Sequence, residues 1–124
     1  MGLDMYIYRT KKFICPKCGE VVATDIIGEE SVCYWRKEWW LFNYISDEIV
    51  PGGYDGDKYG EYVPLSIEDL NKIKKKIISY YTKEAPEEER DRFVRQSGNI
   101  KGIEKVVKEM KSDPTIGVVY EADW

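Results

Sequence analysis

The sequence contains no histidine and only 3 cysteines among its 124 residues. Histidine is the usual general acid and base near neutral pH, and a serine or cysteine nucleophile depends on such a base. The glycines form neither a P-loop nor a dinucleotide-binding fingerprint. These absences remove the common catalytic arrangements, so we expect a protein that is not an enzyme.

Long apolar runs are missing as well. No stretch approaches the roughly 18–20 apolar residues that are needed to cross a bilayer, and the opening residues MGLDMYIYRTKK lack the basic and apolar regions of a signal peptide. The formal net charge of −4 disfavours a general affinity for phosphate backbones, while leaving room for a local basic patch. We therefore expect a cytoplasmic protein with reduced thiols and no membrane partner.

The pattern of apolar residues predicts a single α+β domain over residues 1–124. Residues 3–9 alternate apolar and polar side chains and residues 20–27 are rich in β-branched ones, so both segments are predicted strands. Apolar spacing and capping residues predict helices over about 33–47, 66–83, 86–96 and 99–113, followed by a last strand over 115–122. We expect the N- and C-terminal strands to pair in one small sheet, with three to four helices packed on it.

The segment CPKCG is typical of one half of a zinc site, within a knuckle-like hairpin over residues 14–33. Cys15 and Cys18 would supply two ligands, and Cys33 is the candidate third. A fourth would be a carboxylate such as Asp25 or Glu20, water, or a residue of another chain. Two other interpretations stay open: a tight turn without metal, and a redox pair, although a redox CxxC normally begins a helix.

The segment YWRKEWW, residues 34–40, places two cations beside three tryptophans. Arg36 and Lys37 with aromatic neighbours could stack on bases or bind phosphates. The spacing instead favours a helix whose apolar stripe includes Trp35 and Trp39 and whose cations face water.

Three other features are candidate contact sites. Trp40 lies off the predicted stripe and would be a partner contact if exposed. The loop over residues 52–62 carries Tyr54 and Asp55 among glycines; its spacing does not match a calcium loop, which favours a mobile loop that makes contacts. The lysines of residues 72–76 surround an apolar stripe, which is typical of a solvated helix face and, less often, of a nucleic-acid patch.

Four segments together resemble a family of small, uncharacterised phage and prophage proteins: MGLDMYIY, YWRKEWWLFNYI, YVPLSIEDLNKIKKKI and VVYEADW. Members open on a Gly-Leu-Asp-Met-Tyr strand, carry a Tyr-Trp-Arg-Lys helix and close on an aromatic strand ending in Trp. The resemblance implies that residues 2–6 and 34–37 serve any shared function. This chain departs from the family in its cysteine knuckle, and in carrying Trp39 and Trp40 where relatives often have His and Trp.

Small phage proteins without an active site commonly act by binding a host component. We therefore expect a non-catalytic accessory protein that binds and modulates a host protein, such as an immune or replication factor. The alternative is a zinc-containing module that binds nucleic acid or nucleotides. The candidate binding residues are Tyr34, Trp35, Arg36, Lys37, Trp40, Tyr54 and Asp55, and the candidate metal ligands are Cys15, Cys18 and Cys33.

Overall fold

The computed structural model describes residues 3–27, 31–50, 62–87 and 92–123, with the backbone alone for residues 22, 23 and 92–95. Its strands are β1 (Asp4–Ile14), β2 (Val21–Ile26), β3 (Cys33–Arg36), β4 (Val63–Leu65) and β5 (Ile116–Asp123). Its helices are α1 (Trp39–Tyr44), α2 (Ile67–Ser79) and α3 (Arg92–Ser112), and π-helical turns extend α1 over Ile45–Ile49 and α2 over Tyr80–Glu84. None of the helices in these ranges combines the length and apolar character that crossing a membrane requires.

The five strands form one antiparallel sheet in the order β2-β1-β5-β4, and β3 also pairs with β1. The long strand β1 organises the sheet: its first half pairs with β3, its second half pairs with β2, and its other edge pairs with β5. The pairing of the N- and C-terminal strands and the α+β class are thus confirmed. The short strand β4 was not predicted.

Alternation along β1 gives the sheet two different faces. Leu3, Met5 and Ile7 are completely buried in the core, together with apolar residues of all three helices. Tyr6 and Tyr8 point to the opposite side and are only half-buried. Because successive side chains of a strand point to opposite faces, the helices cover one face and leave the tyrosine side without a helix among the described residues.

Helix α2 follows the sequence prediction closely. The Ser66 hydroxyl accepts from the Asp69 backbone N–H at 3.1 Å, and the Asp69 carboxylate accepts from the Ser66 backbone N–H at 3.0 Å, which is a complete capping box. Leu70, Ile73 and Ile77 then recur on one side and are fully buried. Each such aliphatic side chain contributes about 1.5–3 kcal/mol by leaving water, so packing against the sheet holds this helix.

The predicted helix over 33–47 is wrong at its start, because Cys33–Arg36 is strand β3. Trp35 lies opposite Met5 of β1 and is 2% exposed, whereas Trp39 is 46% exposed. The chain turns at Lys37, whose backbone has a φ of 59°, and α1 begins only at Trp39. The helical spacing of the tryptophans therefore marked a strand residue and a surface residue rather than one buried stripe.

The two helices predicted over 86–96 and 99–113 are one continuous helix, α3, from Arg92 onward. Gly98 lies within it and has open space where a side chain would begin. The Asn99 side chain bonds to the backbone of Tyr34 in β3 instead of capping a helix. A tertiary contact thus replaced the local capping role that the sequence suggested.

Candidate binding face

Four tyrosines form a row on the sheet face opposite the helices. Tyr6 lies between Tyr34, its cross-strand partner in β3, and Tyr8, two residues further along β1. The ring centroids of Tyr34 and Tyr6 are 5.1 Å apart and those of Tyr6 and Tyr8 are 5.5 Å apart, both stacked. Tyr62, just before β4, meets the Tyr8 ring edge-on at 6.1 Å. Strand pairing therefore assembles one aromatic surface from three separate parts of the chain.

Carboxylates hold the two outer tyrosines. The Tyr34 hydroxyl donates to Asp4 Oδ1 at 2.7 Å, and this hydrogen bond is the main cause of a raised pKa of Tyr34. The Tyr62 hydroxyl donates to the Glu121 carboxylate, which likewise raises the pKa of Tyr62. Both side chains are well exposed, at 44% and 53% respectively. Hydrogen bonds thus orient the two rings while about half of each residue stays exposed to water.

The middle of the row is acidic in character. Burial is the first cause of the raised pKa of Tyr6 and of Tyr8, followed by the charges of nearby carboxylates. Asp123 of β5 lies directly opposite Asp4 and adds a third carboxylate beside Glu121. Arg36 also lies opposite Asp4, from the β3 side, and is the cation of this face. The face combines aromatic rings with an excess of negative charge.

A pH titration tests this arrangement. We expect the phenols of Tyr6, Tyr8, Tyr34 and Tyr62 to ionise above their ordinary pKa of 10.0 in the folded protein. The same phenols lose their protons at a lower pH in the unfolded protein. Their raised pKa values therefore make the free energy of unfolding fall as the pH rises past 10. Site-resolved NMR of the ring carbons would measure each pKa.

Asp4→Asn provides the specific check on that titration. This substitution should lower the pKa of Tyr34 most, since the Asp4 hydrogen bond is its first cause. Asp123→Asn is the matched control, because Asp123 raises the pKa of Tyr6 only as a lesser contribution. A Tyr34 pKa that does not respond to Asp4→Asn would contradict the hydrogen bond.

The segment 34–37 is split between the two faces. Tyr34 and Arg36 point to the open face and Trp35 points into the core, while Lys37 is exposed at the bend after β3. Beside this segment lies a pocket of about 500 Å³ lined by residues 34–38 together with Gln96 and Asn99 of α3. Three of the four predicted positions are thus accessible, and Trp35 is a core residue.

A hydrogen-bond network ties β3 to α3 at the base of this pocket. Trp35 Nε1 donates to Gln96 Oε1 at 2.7 Å, and Asn99 Nδ2 donates to the same oxygen at 3.0 Å. The Asn99 side chain also accepts from the Tyr34 N–H at 3.2 Å and donates to the Tyr34 carbonyl at 3.0 Å. Asn99 therefore pairs with the edge of β3 as a neighbouring strand would, and holds Tyr34 in position.

Trp40 is not the exposed contact that the sequence suggested. Its ring is half-buried and stacks on Tyr80 with centroids 3.8 Å apart and planes 7° apart. Its Nε1 donates to Glu38 Oε2 at 2.6 Å, and the Tyr81 hydroxyl donates to the other oxygen of the same buried carboxylate at 3.2 Å. Trp40 is therefore occupied in joining α1 to the end of α2, whereas its neighbour Trp39 faces water.

The lysine-rich face of α2 is largely neutralised. Glu68, Glu104 and Glu84 each lie within ion-pair distance of one of its lysines. The pairs are Lys72–Glu68 at 3.7 Å, Lys74–Glu104 at 3.6 Å and Lys76–Glu84 at 3.1 Å. Such pairing weakens the positive potential that a phosphate backbone would need.

The structure separates Cys33 from the other two cysteines. Cys33 is buried opposite Ile7 of β1, donates to the Asn99 carbonyl at 3.4 Å, and has a pKa raised by its burial. Cys15 and Cys18 lie at the turn of the β1–β2 hairpin. Cys15 is eight residues beyond Ile7, and at about 3.3 Å per strand residue this is roughly 25 Å. Cys33 does not approach the other pair.

Tyr54 and Asp55 lie outside the described residues.

The tyrosine row is the feature that sequence reasoning missed. The alternation of residues 3–9 places Tyr6 and Tyr8 on one side of β1, but it does not show which face the helices cover. No family model matches this chain, and neither does any curated protein or solved structure.

Proposed function

We propose that this chain is a non-catalytic accessory protein that binds another protein through its tyrosine face, defined here as Tyr34, Tyr6, Tyr8 and Tyr62 with Asp4, Glu121 and Asp123. The partner segment would present lysine or arginine side chains. The observation that carries this proposal is the contiguous row of rings, each contacting the next, on a sheet face that no described helix covers.

The chemistry of the face favours a cationic partner. A lysine or arginine over a tyrosine ring gains about 0.5–1 kcal/mol at an exposed site, and more when it loses water. The carboxylates of Asp4, Glu121 and Asp123 add charge attraction around the rings. Tyrosine is also enriched at protein interfaces, because its large rigid ring buries area at small entropic cost.

The resemblance to phage and prophage proteins supplies the biological part of the proposal. In that setting the partner is a host protein, and the bound chain modulates it; immune and replication factors are the candidates. Tyr34 belongs both to the family-like segment and to the tyrosine face, and Arg36 of the same segment lies opposite Asp4 of that face. A function shared with those proteins would therefore use this surface.

The charges around the rings also favour a protein over a nucleic acid as the partner. Aromatic sheet faces can stack on bases, but that mode of binding combines rings with a positively charged groove. Here carboxylates lie beside the rings, and three of the four lysines of α2 are paired with glutamates. Both observations favour a basic protein segment over a phosphate backbone.

A peptide titration tests the proposal directly. We expect a short lysine- and arginine-rich peptide to shift the NMR ring signals of Tyr6, Tyr8, Tyr34 and Tyr62, and a matched acidic peptide to leave them unchanged. Tyr34→Ala should weaken binding of the basic peptide, and Glu121→Gln should weaken it about two- to fivefold, as expected for an exposed charge contact. Calorimetry gives the Kd values.

The matched control is Asp47→Asn, which removes an exposed carboxylate in the turn after α1. It should leave the Kd unchanged, because Asp47 is not part of the tyrosine face. A single-stranded oligonucleotide serves as the competing probe. If it bound with steep salt dependence while the basic peptide did not, the nucleic-acid alternative would replace this proposal.

A further inference from the structure

The hairpin turn at the far end of β1 has the backbone geometry of a thiolate pair. The backbone N–H groups of Cys18 and Lys17 donate to the Cys15 sulfur. The Gly19 N–H donates to the Cys15 carbonyl at 2.9 Å, and the Cys15 N–H donates to the Glu20 carbonyl at 2.8 Å. Gly19 adopts a φ of 74°, which only glycine reaches without strain. The turn thus directs two backbone donors at the Cys15 sulfur and holds both cysteines in one tight loop.

Two cysteines in such a turn are the usual half of a structural zinc site. Zinc in such sites takes four ligands in a tetrahedron, so neighbouring sulfurs lie about 4 Å apart. The chain has no histidine, and its third cysteine, Cys33, lies roughly 25 Å away along the sheet. Among the described residues, no group of three or more His, Cys, Asp or Glu side chains can hold a metal. In these ranges Glu20 and Asp25 form no such group with the two cysteines.

We propose that Cys15 and Cys18 bind zinc together with Cys15 and Cys18 of a second copy of this chain, forming a four-thiolate site across a dimer of hairpins. A second copy would supply the two missing ligands from the same tight Cys15–Cys18 turn. This zinc site lies at the opposite end of β1 from Asp4 and is separate from the tyrosine face.

The surface around the turn fits such a dimer. Four of the eight exposed large apolar side chains in the described ranges lie on this hairpin, namely Phe13, Ile14, Val21 and Ile26. Their exposure leaves apolar surface on the hairpin that a second copy could cover. The hairpin carries both positive and negative side chains, which limits the repulsion between two copies. They are Lys11, Lys12, Lys17, Glu20 and Asp25. A zinc ion with four thiolate ligands has a net negative charge, and Lys17, between the two cysteines, would partly offset it.

Metal content and solution mass of the full chain, purified without chelator, test this site. We expect about half a zinc ion per chain in a dimer, with X-ray absorption showing four sulfur neighbours at about 2.3 Å. A strong chelator should convert the dimer to monomer, and stoichiometric zinc should restore it. One zinc per monomeric chain would overturn the proposal, as would a Cys15–Cys18 disulfide or a protein that binds no zinc.

Cysteine variants separate this site from the buried thiol. Cys15→Ser and Cys18→Ser should each abolish zinc binding and dimerisation while circular dichroism stays native, since both residues lie in a surface turn. Cys33→Ser is the matched control and should keep the zinc and the dimer. Loss of zinc in a folded Cys33→Ser variant, or a zinc dimer that survives Cys15→Ser, would show that other ligands bind the metal and would refute the proposal.

Discussion

Trp35→Ala should destabilise the protein by about 3–5 kcal/mol, whereas Trp39→Ala should cost about 1 kcal/mol or less. Trp35 is almost completely buried between the sheet and α3, so truncation leaves a large cavity. It also removes the hydrogen bond that Trp35 Nε1 donates to Gln96 Oε1. Trp39 is half-exposed and meets Phe42 edge-on at 5.7 Å, so its loss mainly removes one surface contact.

Urea unfolding followed by circular dichroism would measure both variants without relying on tryptophan fluorescence. Trp35→Phe adds an intermediate case, since it keeps most of the ring volume and leaves Gln96 without this donor; about 1–3 kcal/mol is expected. It also covers the possibility that the alanine variant is too unstable to fold. Equal losses for the two alanine variants would contradict the strand over Cys33–Arg36 and restore the helical stripe.

Gly102→Ala is the second change with a large expected effect, in the opposite direction from Gly98→Ala. Both glycines lie in α3, where alanine is intrinsically better by about 0.8–1 kcal/mol. A Cβ at Gly102 would lie 2.5 Å from the Val32 carbonyl oxygen, whereas one at Gly98 would meet nothing within 4 Å. The clash is with backbone, so the helix must move away from the sheet, which typically costs about 1–3 kcal/mol.

We therefore expect Gly102→Ala to lower the midpoint of thermal unfolding and Gly98→Ala to raise it. The two substitutions are chemically identical and lie one helical turn apart, so their difference isolates the contact with Val32. Equal stabilisation of the two variants would contradict the close approach of Gly102 in α3 to the carbonyl group of Val32, the residue before β3. A break in the helix near Gly98 would instead make Gly98→Ala destabilising.

Much of the fold follows from local patterns. The alternation of β1, the capping box of Ser66 and Asp69 and the apolar stripe of α2 each arise from residues near one another in the chain, so they were predictable. The pairing of the terminal strands followed from their number and patterning. The turn at Cys15 and Cys18 was equally visible, because a tight turn depends on its own few residues.

Tertiary structure decided the rest, because the same spacing can serve different elements. The spacing of Trp35 and Trp39 fits a helix, but Trp35 pairs with β1 as part of a strand. Gly98 likewise fits the end of a helix, but the helix continues through it and the Asn99 side chain bonds to β3. The tyrosine row depends on strand pairing between distant residues and on which face the helices cover. The sequence by itself thus determined β1, α2 and the cysteine turn, while long-range packing decided the extent of the other elements, which side chains are buried and which form the tyrosine face.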